Sequence, residues 1–88
     1  MKYIVLLNKK SLKGLSRLPK REQFVLQDLI DAISETGPEQ PSFKHYSKLG
    51  PNKYHCHLSY HWVACWQCKN GQCKVEVYYV GSRESAPY

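Results

Sequence analysis

The stretch HWVACWQCKNGQCKVEVYYVG, residues 61–81, decides the fold. Asn70-Gly71 divides it into two runs rich in β-branched and aromatic residues, and this dipeptide tolerates positive φ at both central positions of a type I′ turn. A two-residue turn there predicts a hairpin with Lys69 facing Gln72, Cys68 facing Cys73, Trp66 facing Val75, Ala64 facing Val77 and Trp62 facing Tyr79. Strand side chains alternate between faces, so these pairs share one apolar face that calls for helices above it. The other face carries His61, Val63, Cys65 and Gln67 against Val80, Tyr78, Glu76 and Lys74, a mixed and partly wet surface.

Just upstream, KYHCHL (residues 53–58) alternates in the same way, with Tyr54, Cys56 and Leu58 on one face and His55 and His57 on the other. The segment before it, residues 38–53, has the turn signals GPEQPS and LGPNK and reads as a surface connection with one short strand near Tyr46–Leu49. Leu26, Leu29, Ile30 and Ile33 follow the spacing of a helix with one buried face, ending at Thr36-Gly37-Pro38. Leu12, Leu15 and Leu18 predict a shorter helix, with Ser11 as its cap, Gly14 as a weak point and Pro19 as its end. The first run, KYIVLLN (Lys2–Asn8), is apolar without a break and reads as a strand buried on both faces, near the sheet centre. The expected architecture is α+β: two N-terminal helices packed on one face of a mainly antiparallel sheet of four to five strands.

With 88 residues the chain is long enough for a single domain, residues 1–88, with one core. Lys and Arg number 13 against 7 Asp and Glu, a formal charge of +6 that favours polyanions or an acidic protein partner over a neutral metabolite. Six cations, Lys9, Lys10, Lys13, Arg17, Lys20 and Arg21, lie on and between the helices, as a solvated face, a phosphate-contacting surface or an acidic partner's dock. MKYIVLLNKK is too short to span a bilayer and lacks a small-residue cleavage site, and no apolar run approaches membrane length. Four cysteines without a secretory signal point to a reducing cytoplasm.

On the helix-free face the hairpin register gathers His55, His57 and His61, with Arg83 just past the last strand and Tyr88 closing the chain. Such a set suits RNA cleavage by internal attack. A base takes the 2′-hydroxyl proton, an acid protonates the departing 5′ oxygen, and a cation holds the charge on phosphorus. Arginine fits phosphate with a rigid two-pronged donor. Lys53, Lys48, Lys74 and Tyr78 are the candidate RNA contacts around it. His55-x-His57 with CWQCKNGQC also offers ligands of the kind zinc takes. Against that, Cys65 and Cys68 fall on opposite faces of a strand, and Cys68 and Cys73 on the face the histidines avoid, so no metal or other cofactor is expected. Cys68 and Cys73, opposite each other, are placed to form an incidental disulfide on oxidation. Trp62, Trp66 and Tyr79 read as core.

The order strand, helix, helix, strand meander, ending in VEVYYVGSRESAPY, resembles the RelE family of toxins within the RelE/ParE superfamily. The resemblance spans nearly the whole chain. KYHCHL looks like the family's Tyr-basic-apolar-basic-Leu strand, and YYVGSRE like its final strand followed by Gly-x-Arg. The resemblance implies a toxin of a type II toxin–antitoxin system, a ribosome-dependent mRNA endonuclease in the cytoplasm, bound in a heterocomplex by a RelB-like antitoxin. It implies that Arg83 is the transition-state arginine and Tyr88 the C-terminal tyrosine. His55 and His57 stand where members often carry lysines, and His61 near the basic residue that opens the next strand. Histidine for lysine exchanges fixed charge for proton transfer and implies a sharper pH dependence. Two other readings are a ParE-like protein that inhibits a target such as DNA gyrase by occupancy, and a small zinc-bearing nucleic-acid module.

Overall fold

The computed structural model describes residues 2–69 and 73–88. The chain runs β1 (Ile4–Leu7), α1 (Lys9–Arg17), α2 (Lys20–Thr36), β2 (Ser47–Gly50), β3 (Lys53–His57), β4 (Trp62–Cys68), β5 (Lys74–Ser82) and a 3-10 turn, η1 (Arg83–Ser85). The five strands form one sheet in the order β1-β5-β4-β3-β2, antiparallel except for the parallel β1–β5 pair. Both helices pack on one face, where Leu26, Leu29 and Ile33 from α2 meet Tyr54, Cys56, Ala64, Trp66, Val75 and Val77 from the sheet. This is the expected α+β architecture.

The long amphipathic helix ends where the sequence indicated, with Gly37 in the positive-φ region (φ 100°). The short helix buries only part of what its leucines mark, Leu18 and some of Leu15. Asn8 is the cap, its side-chain oxygen accepting from the Ser11 N–H at 2.8 Å, and Ser11 is one turn inside the helix and fully buried. The Ser11 hydroxyl donates to the Val77 carbonyl at 2.7 Å, while Leu12 is 51% exposed. The buried stripe is Ser11, Gly14 and Leu18, with Leu15 partly covered, because α1 presses its backbone directly on β5. A Cβ on Gly14 would fall inside the Val80 carbonyl, so the glycine is a packing requirement, not a weak point.

The first strand is also corrected. It is an edge strand, and Ile4 and Leu6 are 51% and 52% exposed on the side without helices. An unbroken apolar run carries no alternation to reveal that one of its faces stays uncovered.

The hairpin register is corrected too. Asn70-Gly71 lies outside the described residues, but the strands on either side pair as Cys68↔Val75, Gln67↔Glu76 and Trp66↔Val77, two residues from the expected pairing. A shift of two keeps every side chain on its face. A bulge follows between Cys65 and Trp66, after which Cys65 pairs with Tyr79, Ala64 with Val80 and Trp62 with Ser82. Tyr78 is the extra residue, so Tyr78 and Tyr79 both face away from the helices while Val80 turns toward them. Tyr79 therefore leaves the face expected for it, and Cys68 lies opposite Val75, not Cys73.

The helix-free face is drier than its composition implied. Val63 and Cys65 are fully buried there beside Tyr79, under Leu49, Tyr78 and Ala86. The segment after β5 folds back through η1, with the Ala86 N–H donating to the Arg83 carbonyl at 3.4 Å, and lids the middle of the sheet.

Candidate functional site

Period-two alternation along β3 turns His55 and His57 away from the helices, as the sequence indicated. The β2–β3 pairing sets Ser47 across from His55, and the Ser47 hydroxyl lies 2.9 Å from His55 Nδ1, fixing the ring. His55 is only 8% exposed because Tyr88 caps it, ring centroids 4.4 Å apart and tilted by 45°. On its other side is the His57 ring at 5.7 Å, and beyond that His45 at 4.9 Å. Tyr88, His55, His57 and His45 thus form a chain of four rings.

His45 has φ 53°, in the left-handed region that a non-glycine residue enters at a cost of about 1–2 kcal/mol. It is held beside His57 by the chain next to it, since the His57 N–H donates to the Lys44 carbonyl at 2.8 Å. Such strain collects at functional sites, where neighbouring structure imposes the conformation.

Arg83 opens η1, and its N–H donates to the His61 carbonyl at 2.8 Å. Its guanidinium carbon sits 4.6 Å from the Tyr60 ring centroid, an exposed cation–π contact, and the ring of His61 meets the same tyrosine edge-on at 4.9 Å. His61 is exposed and supports Arg83 through its backbone, with its side chain on Tyr60 and not in the chain of rings.

Electrostatics sort these groups by proton affinity. Burial is the main cause that lowers the His57 pKa, and His45, Arg83 and Lys44 push it down further. Burial also lowers His55, helped by His57 and His45 and opposed by the hydrogen bond with Ser47. Tyr88 moves upward, mostly by burial, although Arg83 pulls the other way. At neutral pH the site therefore offers neutral imidazoles that accept protons, a phenol that keeps its proton, and a fixed guanidinium charge. Groups of these kinds can serve as a base, an acid and an anion clamp.

The candidate RNA contacts scatter. Lys53 and Lys74 are exposed at the opposite end of the helix-free face. Lys53 lies about 13 Å along β3 from His57 at ~3.3 Å per residue. The Gln67–Glu76 hydrogen bond of 2.9 Å stands at that end. Lys48 points to the helix side, its Nζ 5.8 Å from the Tyr54 ring centroid. Tyr78 is half-buried in the bulge, and burial, with the neighbouring Cys65 thiol, pushes the phenol up to about 12. Burial pushes the Cys56 and Cys65 thiols up to about 12 as well, which leaves both unreactive. Among the described residues no group of three His, Cys, Asp or Glu side chains is arranged to hold a metal ion.

His45, Lys44 and Tyr60 were missed in the sequence. The β2–β3 register held a signal for the first: Ser47 pairs with His55, so two residues earlier comes His45, across from His57. Tyr60 lies in the turn before β4 and carries no periodic signal.

No protein-family model matches the chain, and no curated protein matches it. Solved structures do. The archaeal RelE in the RelE–RelB complex from Pyrococcus horikoshii OT3 superposes with a TM-score of 0.76 at 17% identity, over 98% of this chain and 100% of that one. A mutant of the E. coli toxin RelE, in complex with a peptide of the antitoxin RelBc, gives 0.76 at 22% identity over 97% and 87%. The YoeB/ParE toxin from Agrobacterium tumefaciens gives 0.74 at 12% identity over 91% and 98%. These likenesses establish the fold, and the chain has, over nearly its whole length, the architecture of the RelE-type and YoeB/ParE-type toxins.

Proposed function

We propose that this chain is the toxin of a type II toxin–antitoxin pair, acting as a ribosome-dependent endoribonuclease in the cytoplasm and held inactive by a RelB-like antitoxin. The observation that carries this reading is the exposed Arg83 beside a depressed His57 and a Tyr88 that keeps its proton, all on the helix-free face. His57 takes the proton from a ribose 2′-hydroxyl. The 2′ oxygen attacks phosphorus, the bond to the 5′ oxygen breaks, and Tyr88 gives that oxygen its proton. The products are a 2′,3′-cyclic phosphate and a 5′-hydroxyl end, and Arg83 holds the charge on the phosphoryl oxygens between them. His55, buried and bonded to Ser47, spaces the two proton carriers, while burial, with His45 and Arg83, holds the His57 pKa down.

The cations next to the histidines are few, so RNA is held weakly by this face alone. The ribosome supplies the missing orientation, which is worth several kcal/mol, and free RNA is a poor substrate. RelE neighbours solved with RelB support the antitoxin partner.

The YoeB/ParE likeness supports a second reading, inhibition by occupancy of the target without cleavage. One experiment separates them. Inducible expression should arrest growth and leave transcripts cut within translated codons, and Arg83→Ala with Tyr88→Phe should abolish both while antitoxin binding persists. Arrest that survives both substitutions, without cut ends, would establish occupancy.

A further inference from the structure

The basic run on the helices is not used by the histidine face. Lys10, Lys13 and Arg17 stand three and four residues apart on α1, hence on one side of it, and line a cleft of about 430 Å3 against Trp62, Ser82 and Ser85. No carboxylate lines this cleft among the described residues. Tyr79 forms part of its wall, with Lys10 Nζ 5.6 Å from the ring centroid.

The charge is there against local preference. Like charges at these spacings weaken a helix, and α1 has no acidic residue in its first turn to suit the helix dipole. Two features make the cleft specific. Trp62 is only partly buried, which presents an aromatic surface, and η1 joins the cleft to the other site, carrying Arg83 to the histidine face and Ser85 to the cleft.

We infer that this cleft is a second phosphodiester-binding site, which takes the backbone of single-stranded RNA through Lys10, Lys13 and Arg17 and stacks a base on Trp62. RNA leaving the histidine face past Arg83 enters it. Charge, an aromatic wall and continuity with the first site are the means by which proteins track single strands. The identity of the polyanion rests on the proposed RNA-cutting function, but binding is measured without cleavage, so the two stand or fall separately.

The test is fluorescence anisotropy of a labelled oligouridylate of about 12 nucleotides, spanning a typical single-strand site, titrated with the full chain at several salt concentrations. Each phosphate neutralised on a single strand contributes about 0.7 to the slope of log affinity against log salt. Lys10→Ala, Lys13→Ala and Arg17→Ala together should lower that slope by about 2 and weaken binding roughly tenfold or more at 0.1 M salt. Lys13→Ala alone, which changes one exposed side chain, should lower it by about 0.7, and Trp62→Leu should weaken binding without changing the slope. An unchanged slope in both lysine variants overturns the site. So does RNA binding that survives the triple substitution while binding of the acidic antitoxin is lost, which would make the cleft a protein dock. If the wild type cuts no RNA but the slopes change as stated, the cleft stands and the nuclease reading fails.

Discussion

Gly14→Ala sets helix propensity against packing, and the structure fixes which one wins. In an isolated helix alanine is better than glycine by about 1 kcal/mol. In this protein the new methyl would overlap the Val80 carbonyl carbon and oxygen, which are backbone of β5 and have no rotamer to move into. The helix must retreat instead, and Ser11, one turn away, then stretches its 2.7 Å buried bond to the Val77 carbonyl. Overpacking costs about 1–3 kcal/mol, and the lost bond to Val77 about 0.5–1.5 kcal/mol more, since the Asn8 carbonyl at 3.0 Å remains as an acceptor for the hydroxyl. Set against the propensity gain, the net loss is about 0.5–3.5 kcal/mol. For a domain of this size that lowers Tm by at least about 2–4 °C. The assay is thermal and urea unfolding followed by circular dichroism, with Gly50→Ala as control. A Cβ at Gly50 meets nothing within 4 Å, so the control should change stability by less than about 1 kcal/mol. A Gly14→Ala protein as stable as the wild type, or more so, would refute the close approach of α1 to β5.

Three further outcomes follow from the same geometry. Trp66→Phe should cost about 2–4 kcal/mol in urea unfolding, because it strands the Pro38 carbonyl that the fully buried indole N–H meets at 2.8 Å and leaves space in the core; a loss below about 1 kcal/mol would contradict that role. The folded state lowers the pKa of His55 and His57, so the unfolded chain binds more protons just below about pH 6.5; stability should be flat above that pH and fall on acidification, and replacing both histidines by glutamine should flatten the urea midpoint between pH 8 and 5. On programmed ribosomes, cleavage should rise through a His57 pKa below 6.5 and hold level to above pH 10, where Tyr88 ionises, and Tyr88→Phe should lower the rate about 10²–10⁴-fold; a rate that falls between pH 6.5 and 8.5 would reverse the roles of base and acid.

The fold was legible wherever one side chain in two or in 3.6 carried the signal. Alternation in KYHCHL placed both histidines on the correct face, and α2 was bounded by its own cap. What failed had no periodic trace. The burial of Ser11 and Gly14 is decided by how closely α1 approaches β5, a tertiary distance that the more conspicuous leucines concealed. The turn dipeptide predicts a register that β4 and β5 miss by two residues already at Cys68↔Val75, and the bulge at Cys65–Trp66 then changes the face of every later residue of β5. At the candidate site, the positions of Arg83, Tyr88, His55 and His57 were enough to put them on one face, whereas His45 needed a pairing across β2 and β3 that a proline-rich segment hid.

The bulge has a consequence for the site that strict alternation would have denied it. Val75 and Val77 face the helices, so an unbroken β5 would send Tyr79, Gly81 and residue 83 to the same side. The guanidinium would then leave the strand toward α1, away from the imidazoles. Tyr78 adds one residue opposite the Cys65–Trp66 step, and every later side chain changes face. Val80 takes up the helix side in place of Tyr79, and Arg83 leaves the strand on the side of His57 and Tyr88, close enough to influence the proton affinity of both. A doubled tyrosine that reads as two ordinary strand residues is therefore the element that brings the cation to the histidines.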